Sequence, residues 1–338
     1  LAAEPAIALG VAAPAAAQAP TKIKFQLDWR FEGPAAFFLL PVAKGYFKQE
    51  GLDVSVDIGT GSGATVTRIA SGAYEMGFAD ISAMVEFLSN NPDKPEARMQ
   101  AVMMVYDESP AAVFVLKKSG ITKPADLIGK TLGAPVFDAG RRAFPIFAKA
   151  NNLDLAKMKW QSMDPPLRET MLVRGEVDAI TGFTFTSLLN LNARGVKDEE
   201  VTMFKYPQYG VRLYGNAIVA SEKFIKENPK AVAAFLRAFV RGAKDVVANP
   251  DAAAQYIKER DPIADIALEQ RRLKIAIADV IATDDFRKNG IGAVDPKRMA
   301  DTVSQISQAF NLKNAVDAKS LFNASFLPSQ AERRIFAK

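Results

Sequence analysis

The chain has no cysteine and no histidine in 338 residues. Disulfides, zinc–thiolate sites, thiol nucleophiles and Ser-His-Asp triads are therefore excluded. No Ser-x-x-Lys occurs either, which removes the serine hydrolases built on that motif. An enzyme would have to work through carboxylates, Lys, Tyr or a cofactor. Long apolar runs are scarce: beyond residue 19 none reaches the length of a membrane-spanning helix. Charge of one sign is never concentrated. The 43 Lys and Arg are scattered among 38 Asp and Glu, giving a net charge of +5. No basic block with interleaved aromatics is present, which speaks against a nucleic-acid partner. A mildly basic surface fits an anionic ligand or an anionic membrane without choosing between them.

What is present is ordinary for a globular protein: 49% hydrophobic and 24% charged residues. The length allows two domains and a sizeable core. Residues 1–19 stand apart, being nearly all Ala, Leu, Val, Ile and Pro and running into Ala15-Ala16-Ala17-Gln18-Ala19. Small residues after an apolar stretch are the pattern of a secretory signal peptide near its cleavage site. The segment is expected to be a signal remnant, with Ala15-x-Ala17 placing the cut before Gln18. An Ala-rich tail is the other reading.

The chain is organised around Leu27–Gly63. Lys22–Leu27 alternates apolar and polar residues as a half-buried strand does. A helix over about Pro34–Lys44 follows, with Gly45 placed to end it. Leu52–Ile58 is a second strand, and Gly59-Thr60-Gly61-Ser62-Gly63 a glycine-rich turn. In such a βαβ unit ligands bind at the carboxyl ends of the strands. Asp28-Trp29-Arg30 and Gly61-Ser62-Gly63 should then share one crevice wall. Further strands are expected at Met76–Ala79, with Asp80 at its tip, at Gln100–Tyr106 and at Ala111–Leu116. A second α/β set runs from Ile121 to Lys205, and Leu213–Ala220 carries the chain back. The remainder is helical. Asn228-Pro229, Asn249-Pro250, Asp261-Pro262 and Asp295-Pro296 each set a capping acceptor before a Pro at the first helical position. These late helices are expected to cover the first domain and to take no part in a site.

Three clusters carry chemistry. Gly59-Thr60-Gly61-Ser62-Gly63-Ala64 matches G-x-G-x-x-A between a strand and a helix, with Asp80 about twenty residues on. It can be read as a dinucleotide fingerprint, as a cradle for a smaller anion at a helix N-terminus, or as a plain turn. Asp138-Ala139-Gly140-Arg141-Arg142 starts a helix after a strand. Backbone donors, macrodipole and two guanidinium groups there point the same way, as in an anion trap; pairing of both Arg with Asp138 and Asp164 is the alternative. Trp29 at a strand end is the aromatic ligand candidate, while Phe37 and Phe38 fit the core. Tyr206, Tyr209 and Tyr214 cluster where a cleft wall or a hinge would lie.

The run Lys44-Gly45-Tyr46-Phe47 through Glu50-Gly51-Leu52-Asp53-Val54 resembles the nitrate/sulfonate/taurine and pyrimidine-precursor branch of ABC-transporter substrate-binding proteins. So do Ser71-Gly72 with Met76-Gly77-Phe78-Ala79-Asp80, Lys123-Pro124-Ala125-Asp126-Leu127-Ile128-Gly129-Lys130-Thr131, Gly175-Glu176-Val177-Asp178-Ala179 and Asp295-Pro296-Lys297-Arg298-Met299. The resemblance spans roughly residues 22–330. It implies a two-lobed α/β periplasmic binding fold, each lobe a mostly parallel sheet flanked by helices, with C-terminal helices on the first lobe. Lobe 1 would comprise residues 20–108 and 216–338, and lobe 2 residues 111–212, with crossings near 107–111 and 212–216. It further implies a monomeric periplasmic receptor that closes by hinge motion on a small ligand and docks to an ABC permease in the membrane.

The family's pyrimidine-precursor binders typically carry Trp-x-Pro-Asn and then His; here Trp29 is followed by Arg30-Phe31-Glu32-Gly33-Pro34. The family's yeast-type synthase uses His and Cys, which this chain lacks. Arg30, Arg141 and Arg142 lean towards an anionic organic ligand, a sulfonate or carboxylate, with a pyrimidine as the alternative and a nucleotide-cofactor enzyme as a more distant one. The expected contacts are Asp28, Trp29, Arg30, Gly61, Ser62, Gly63 and Asp80 on one wall. Asp138, Gly140, Arg141, Phe183 and Tyr209 form the other. No catalytic residue, metal or cofactor is assigned.

Overall fold

The computed structural model describes residues 19–336, so the expected signal remnant lies outside the described residues apart from Ala19. Ten strands form two sheets of five. The first holds β1 (Thr21–Gln26), β2 (Leu52–Asp57), β3 (Met76–Asp80), β4 (Met99–Met104) and β10 (Asn216–Ser221), in the order β2-β1-β3-β10-β4. The second holds β5 (Ala111–Leu116), β6 (Thr131–Gly133), β7 (Lys159–Gln161), β8 (Ala179–Phe183) and β9 (Val201–Lys205), in the order β7-β6-β8-β5-β9. The chain leaves the first sheet after β4 and returns through β10.

Four strands of each sheet run the same way. The fifth is the strand that has just crossed from the other sheet, and it enters from the opposite end. Thus β10 pairs antiparallel with β3 and β4, and β5 antiparallel with β8 and β9. Each sheet is therefore mostly parallel in strand direction, as expected, with one antiparallel strand making its pairing mixed. The inserted strands lie inside their sheets and are buried along their whole length, hence their continuous apolar character. In β5, Val113 and Val115 face the main core while Ala112, Phe114 and Leu116 face a smaller cluster on the other side.

An aromatic column fixes the opening unit. Phe25 of β1 stacks on Phe38 and Phe235 at 4.8 and 5.1 Å, and Phe38 meets Phe78 and Phe239 at 5.0 and 5.2 Å. Phe37 and Phe38 are accordingly core, as expected. The helix after the glycine-rich turn spans Ser62–Ala70, with Gly61 its cap.

Two expectations about the late helices are corrected. Asp261-Pro262 opens no helix: Asp261 closes the helix Gln255–Arg260, and the next begins at Ile266 with Asp265 as its capping acceptor. Asn228 precedes Pro229 without a side-chain cap, whereas Asn249 and Asp295 accept from Ala252 N–H and Arg298 N–H. Nor do the late helices cover the first sheet alone, since Ile266–Ala276 also reaches the second sheet's helix Thr184–Asn192. Among the described residues no helix is long and apolar enough to cross a membrane.

Candidate functional site

The carboxyl ends of β1, β3, β6 and β8 and the entry of β10 converge on one cleft between the sheets. Two small adjoining chambers share Asp28, Trp29, Phe183 and Thr186. The larger is walled by aromatic rings. Tyr106 stands edge-on to Phe78, Phe183 and Phe185 at 5.1, 6.4 and 5.9 Å. These rings form an apolar slot whose polar end is Asp28 with Trp29. The smaller chamber is bounded by Gly61, Ser62, Asp138, Ala139 and Arg168.

The loop that presents Asp28 is held by main-chain bonds from the glycine-rich turn: Gly61 N–H donates to Asp28 O, and Gly59 N–H to Trp29 O. Glycine is required at both positions. A Cβ at Gly59 would strike the Leu27 carbonyl. Gly61 has φ +129°, and its Cβ would run into the Phe137 carbonyl of the opposite wall. Gly63 N–H donates to that same carbonyl at 3.2 Å. The space a pyrophosphate would need at this helix N-terminus is thus taken by the Phe137 backbone, which argues against the dinucleotide reading.

Asp28 is buried, and its Oδ2 accepts from Asn216 Nδ2 at 2.7 Å. Burial, opposed by that hydrogen bond, raises its pKa to about 7. Asp80 behaves alike, with burial raising it to about 7 while Ser82 donates to it. Burial also pushes Asp138 up against the pull of Arg168, whose Nη1 sits 3.0 Å from Asp138 Oδ2. Arg168 Nε donates to Glu169 Oε1 at 2.8 Å. Burial alone would lower the Arg168 pKa, but Glu169 and Asp138 outweigh it and hold the group above its ordinary value. The guanidinium lies 4.8 Å from the Trp29 ring, a cation–π contact across the cleft. Trp29 Nε1 and Asn216 Oδ1 are buried without a hydrogen-bond partner among the described residues.

The structure gathers Asp28, Trp29, Arg30, Gly61, Ser62, Asp138 and Phe183 around the chambers. It places five other candidates elsewhere. Gly63 and Gly140 pack against neighbouring walls, Gly63 beneath the Arg142 side chain and Gly140 beneath Gly182 N. Asp80 lies buried behind the turn as the cap of Ile81–Asn90. Arg141 turns away: its Nη1 donates to Ala134 O and Ser162 Oγ, and its guanidinium covers Trp160 at 4.8 Å. Tyr209 packs on Phe147 and Phe204, outside the cleft. Tyr206 is core, donating to Gly140 O, and the Tyr214 hydroxyl accepts from Asp295 N–H. Arg142 also faces away from the chambers, pairing with Glu86 at 2.7 Å. The anion trap expected of Arg141 and Arg142 is therefore not assembled.

Sequence reasoning missed Arg168, Tyr106, Glu32, Phe185, Thr186 and Asn216. Asn216 left a trace as the one strongly polar residue inside an apolar strand. Arg168 left none, because nothing local separates a buried Arg-Glu pair from a solvated helix start. Among the described residues no three His, Cys, Asp or Glu side chains gather as a metal site.

Comparison with known proteins was made against this geometry. A family model described as NMT1/THI5 like matches residues 35–253. The formylaminopyrimidine-binding protein of Halalkalibacterium halodurans is 24% identical over 306 residues, 89% of each chain. The riboflavin-binding protein RibY of Chloroflexus aurantiacus is 25% identical over 333 residues, 94% of this chain and 91% of its own. Fungal proteins named as pyrimidine phosphate synthases are also among the relatives. The alkanesulfonate-binding protein SsuA of Xanthomonas axonopodis pv. citri superposes with a TM-score of 0.69 at 13% identity, covering 92% of this chain and all of its own. At that identity the likeness is one of fold: the two-lobed periplasmic binding fold.

Proposed function

We propose, from the premise that this chain belongs to the NMT1/THI5-like family, that it is a solute receptor whose cleft takes a planar nitrogen heterocycle. The receptor would act in the periplasm and hand its ligand to an ABC permease, with residues 20–108 and 216–338 as one lobe and 111–212 as the other. The observation that carries the ligand class is the aromatic slot ending on Asp28. Tyr106, Phe183 and Phe185 line it, packed edge-on, with half-buried Phe183 the ring most open to a ligand. A carboxyl titrating near neutrality can both donate to a ring nitrogen and accept from an exocyclic amine, the paired edge an aminopyrimidine presents.

Charge points the same way and away from the anion suggested by the arginines. Arg168 is shared by Asp138 and Glu169, and Arg272 by Glu32 and Glu269. Asp28 makes no ion pair among the described residues, and Arg30 is exposed at the rim. Lining carboxyls and arginines nearly balance, and Arg168 is already paired with Asp138, so a sulfonate would find no unshared cation inside the cleft among the described residues. A neutral or cationic heterocycle needs none. The binding reading is favoured over a synthase because the chain has neither His nor Cys for such chemistry.

Isothermal titration of the chain with 4-amino-5-hydroxymethyl-2-methylpyrimidine, riboflavin, taurine and an alkanesulfonate tests this. The pyrimidine is expected to bind at micromolar Kd or tighter and to change Trp29 fluorescence in a Trp160→Phe background. Tight binding of the sulfonate with no response to either heterocycle would overturn the ligand class.

A further inference from the structure

The helix Ile266–Ala276 lies far along the sequence from both walls of the cleft, yet one of its side chains joins them. Arg272 is 1% exposed. Its Nε donates to Glu269 Oε2 at 3.0 Å, and its Nη1 stands 3.1 Å from Glu32 Oε2. Glu269 Oε2 also accepts from Gly33 N–H at 2.6 Å, so this carboxylate secures the loop that follows Trp29. On the other side, Arg272 Nη1 donates to Phe185 O and Thr186 O at 3.2 and 2.9 Å, and Nη2 to Asn190 Oδ1 at 2.9 Å. Glu32, Phe185 and Thr186 all line the larger chamber. The preceding residue adds an exposed pair of contacts, Arg271 to Asn192 Oδ1 at 2.8 Å and Asp198 Oδ2 at 2.7 Å.

We propose that Arg272 is a positioning residue that clasps the two walls of the cleft together, so that closure and ligand retention are coupled through one guanidinium. The coupling rests on the reading of the cleft as a ligand site; the clasp itself does not. The planar five-donor fork is what lets a single side chain serve Glu32 on one wall, Glu269 of its own helix and two main-chain carbonyls on the other wall. Arg272 and a bound ligand favour the same arrangement of the walls, so each strengthens the other. Without the clasp, the binding-competent state is less populated, and the apparent affinity falls by that fraction. The loss appears mainly as faster release.

Because the chain has no cysteine, spin labels can be placed at single introduced sites on the exposed faces of the two edge strands, Asp53→Cys in β2 and Lys159→Cys in β7. Removing Arg272 alone strands the buried Glu269 carboxylate, whereas Glu32 is partly open to solvent, so the decisive variant is Glu269→Gln with Arg272→Met; the new amide oxygen still accepts from Gly33 N–H. Circular dichroism establishes that the variant is folded. The parent is expected to show a short label-to-label population matching the closed cleft. The double variant should lose it in favour of longer distances, and Arg272→Lys should regain part of it. Release of 4-amino-5-hydroxymethyl-2-methylpyrimidine should become about tenfold faster or more in the double variant. A folded double variant with the parent's distance distribution overturns the clasp, as does a parent with no short population. If the pyrimidine binds neither protein, the ligand reading fails while the distances still decide the role of Arg272.

Discussion

Replacing Asp28 with Asn should make the protein more stable at alkaline pH and less able to hold its ligand. The Asp28 carboxyl is held at about 7, well above an ordinary aspartate, chiefly by burial. Between about pH 4 and 7 the folded state therefore binds this proton more tightly than the unfolded chain does. Stability falls as pH rises through that window and levels off above it. Raising an aspartate from its ordinary range to about 7 corresponds to about 4 kcal/mol as a ceiling. Asp80, raised to about 7 by burial, contributes in the same direction, and its charge helps to raise Asp28. Asn at position 28 keeps an oxygen for Asn216 Nδ2 to donate to and cannot ionise. The variant should gain about 2–4 kcal/mol at pH 8 and close to nothing at pH 4. Its stability should fall across the window by half as much as the parent's, or less. Urea unfolding at unit steps from pH 4 to 8, with linear extrapolation, measures this. Equal pH slopes in the two proteins, or a variant that is weaker at pH 8, would refute the assignment of a neutralised buried carboxyl. Affinity for the aminopyrimidine should fall about ten- to a hundredfold at pH 7 through loss of the carboxyl's dual hydrogen bonding.

Other substitutions separate closure from folding. Gly61→Ala puts a Cβ against the Phe137 carbonyl from a backbone at φ +129°; it should weaken ligand binding about tenfold or more by blocking closure, while the strain itself costs about 1–3 kcal/mol. Titration calorimetry beside urea unfolding distinguishes the two effects, and unchanged affinity would mean that this contact does not limit closure. Phe235→Ala removes a fully buried ring stacked on Phe25 and Phe47 at 5.1 and 4.7 Å. It should cost about 3–5 kcal/mol in urea unfolding; a loss below about 1 kcal/mol would show that this column is not a determinant of the first sheet.

The two α/β sets, the opening βαβ unit and the placing of Asp28-Trp29 beside Gly61-Ser62 were legible in the sequence, because each depends on local patterns. Alternation marks β1, glycine marks the turn, and the carboxyl-end rule places what lies between them. Asp138 and Phe183 were found for the same reason, standing where strands β6 and β8 give way to helices. The direction of Arg141 and Arg142 was not legible. Their position at a helix start is a sequence fact, but which way a long side chain turns is set by what surrounds it, here Trp160 and Ser162 for one and Glu86 for the other.

By itself the sequence determined the fold class, the absence of thiol and imidazole chemistry, and the glycines that let two walls meet. Only the tertiary structure decided the character of the cleft. Its charge depends on which arginines are already shared between carboxylates, and those pairings join residues as far apart as Glu32 and Arg272. Its pKa values depend on burial, which no single segment carries. Local periodicity fixes elements, but long-range packing fixes solvent exclusion, and solvent exclusion turns Asp28 from an ordinary strand-end acid into a group that titrates near neutrality.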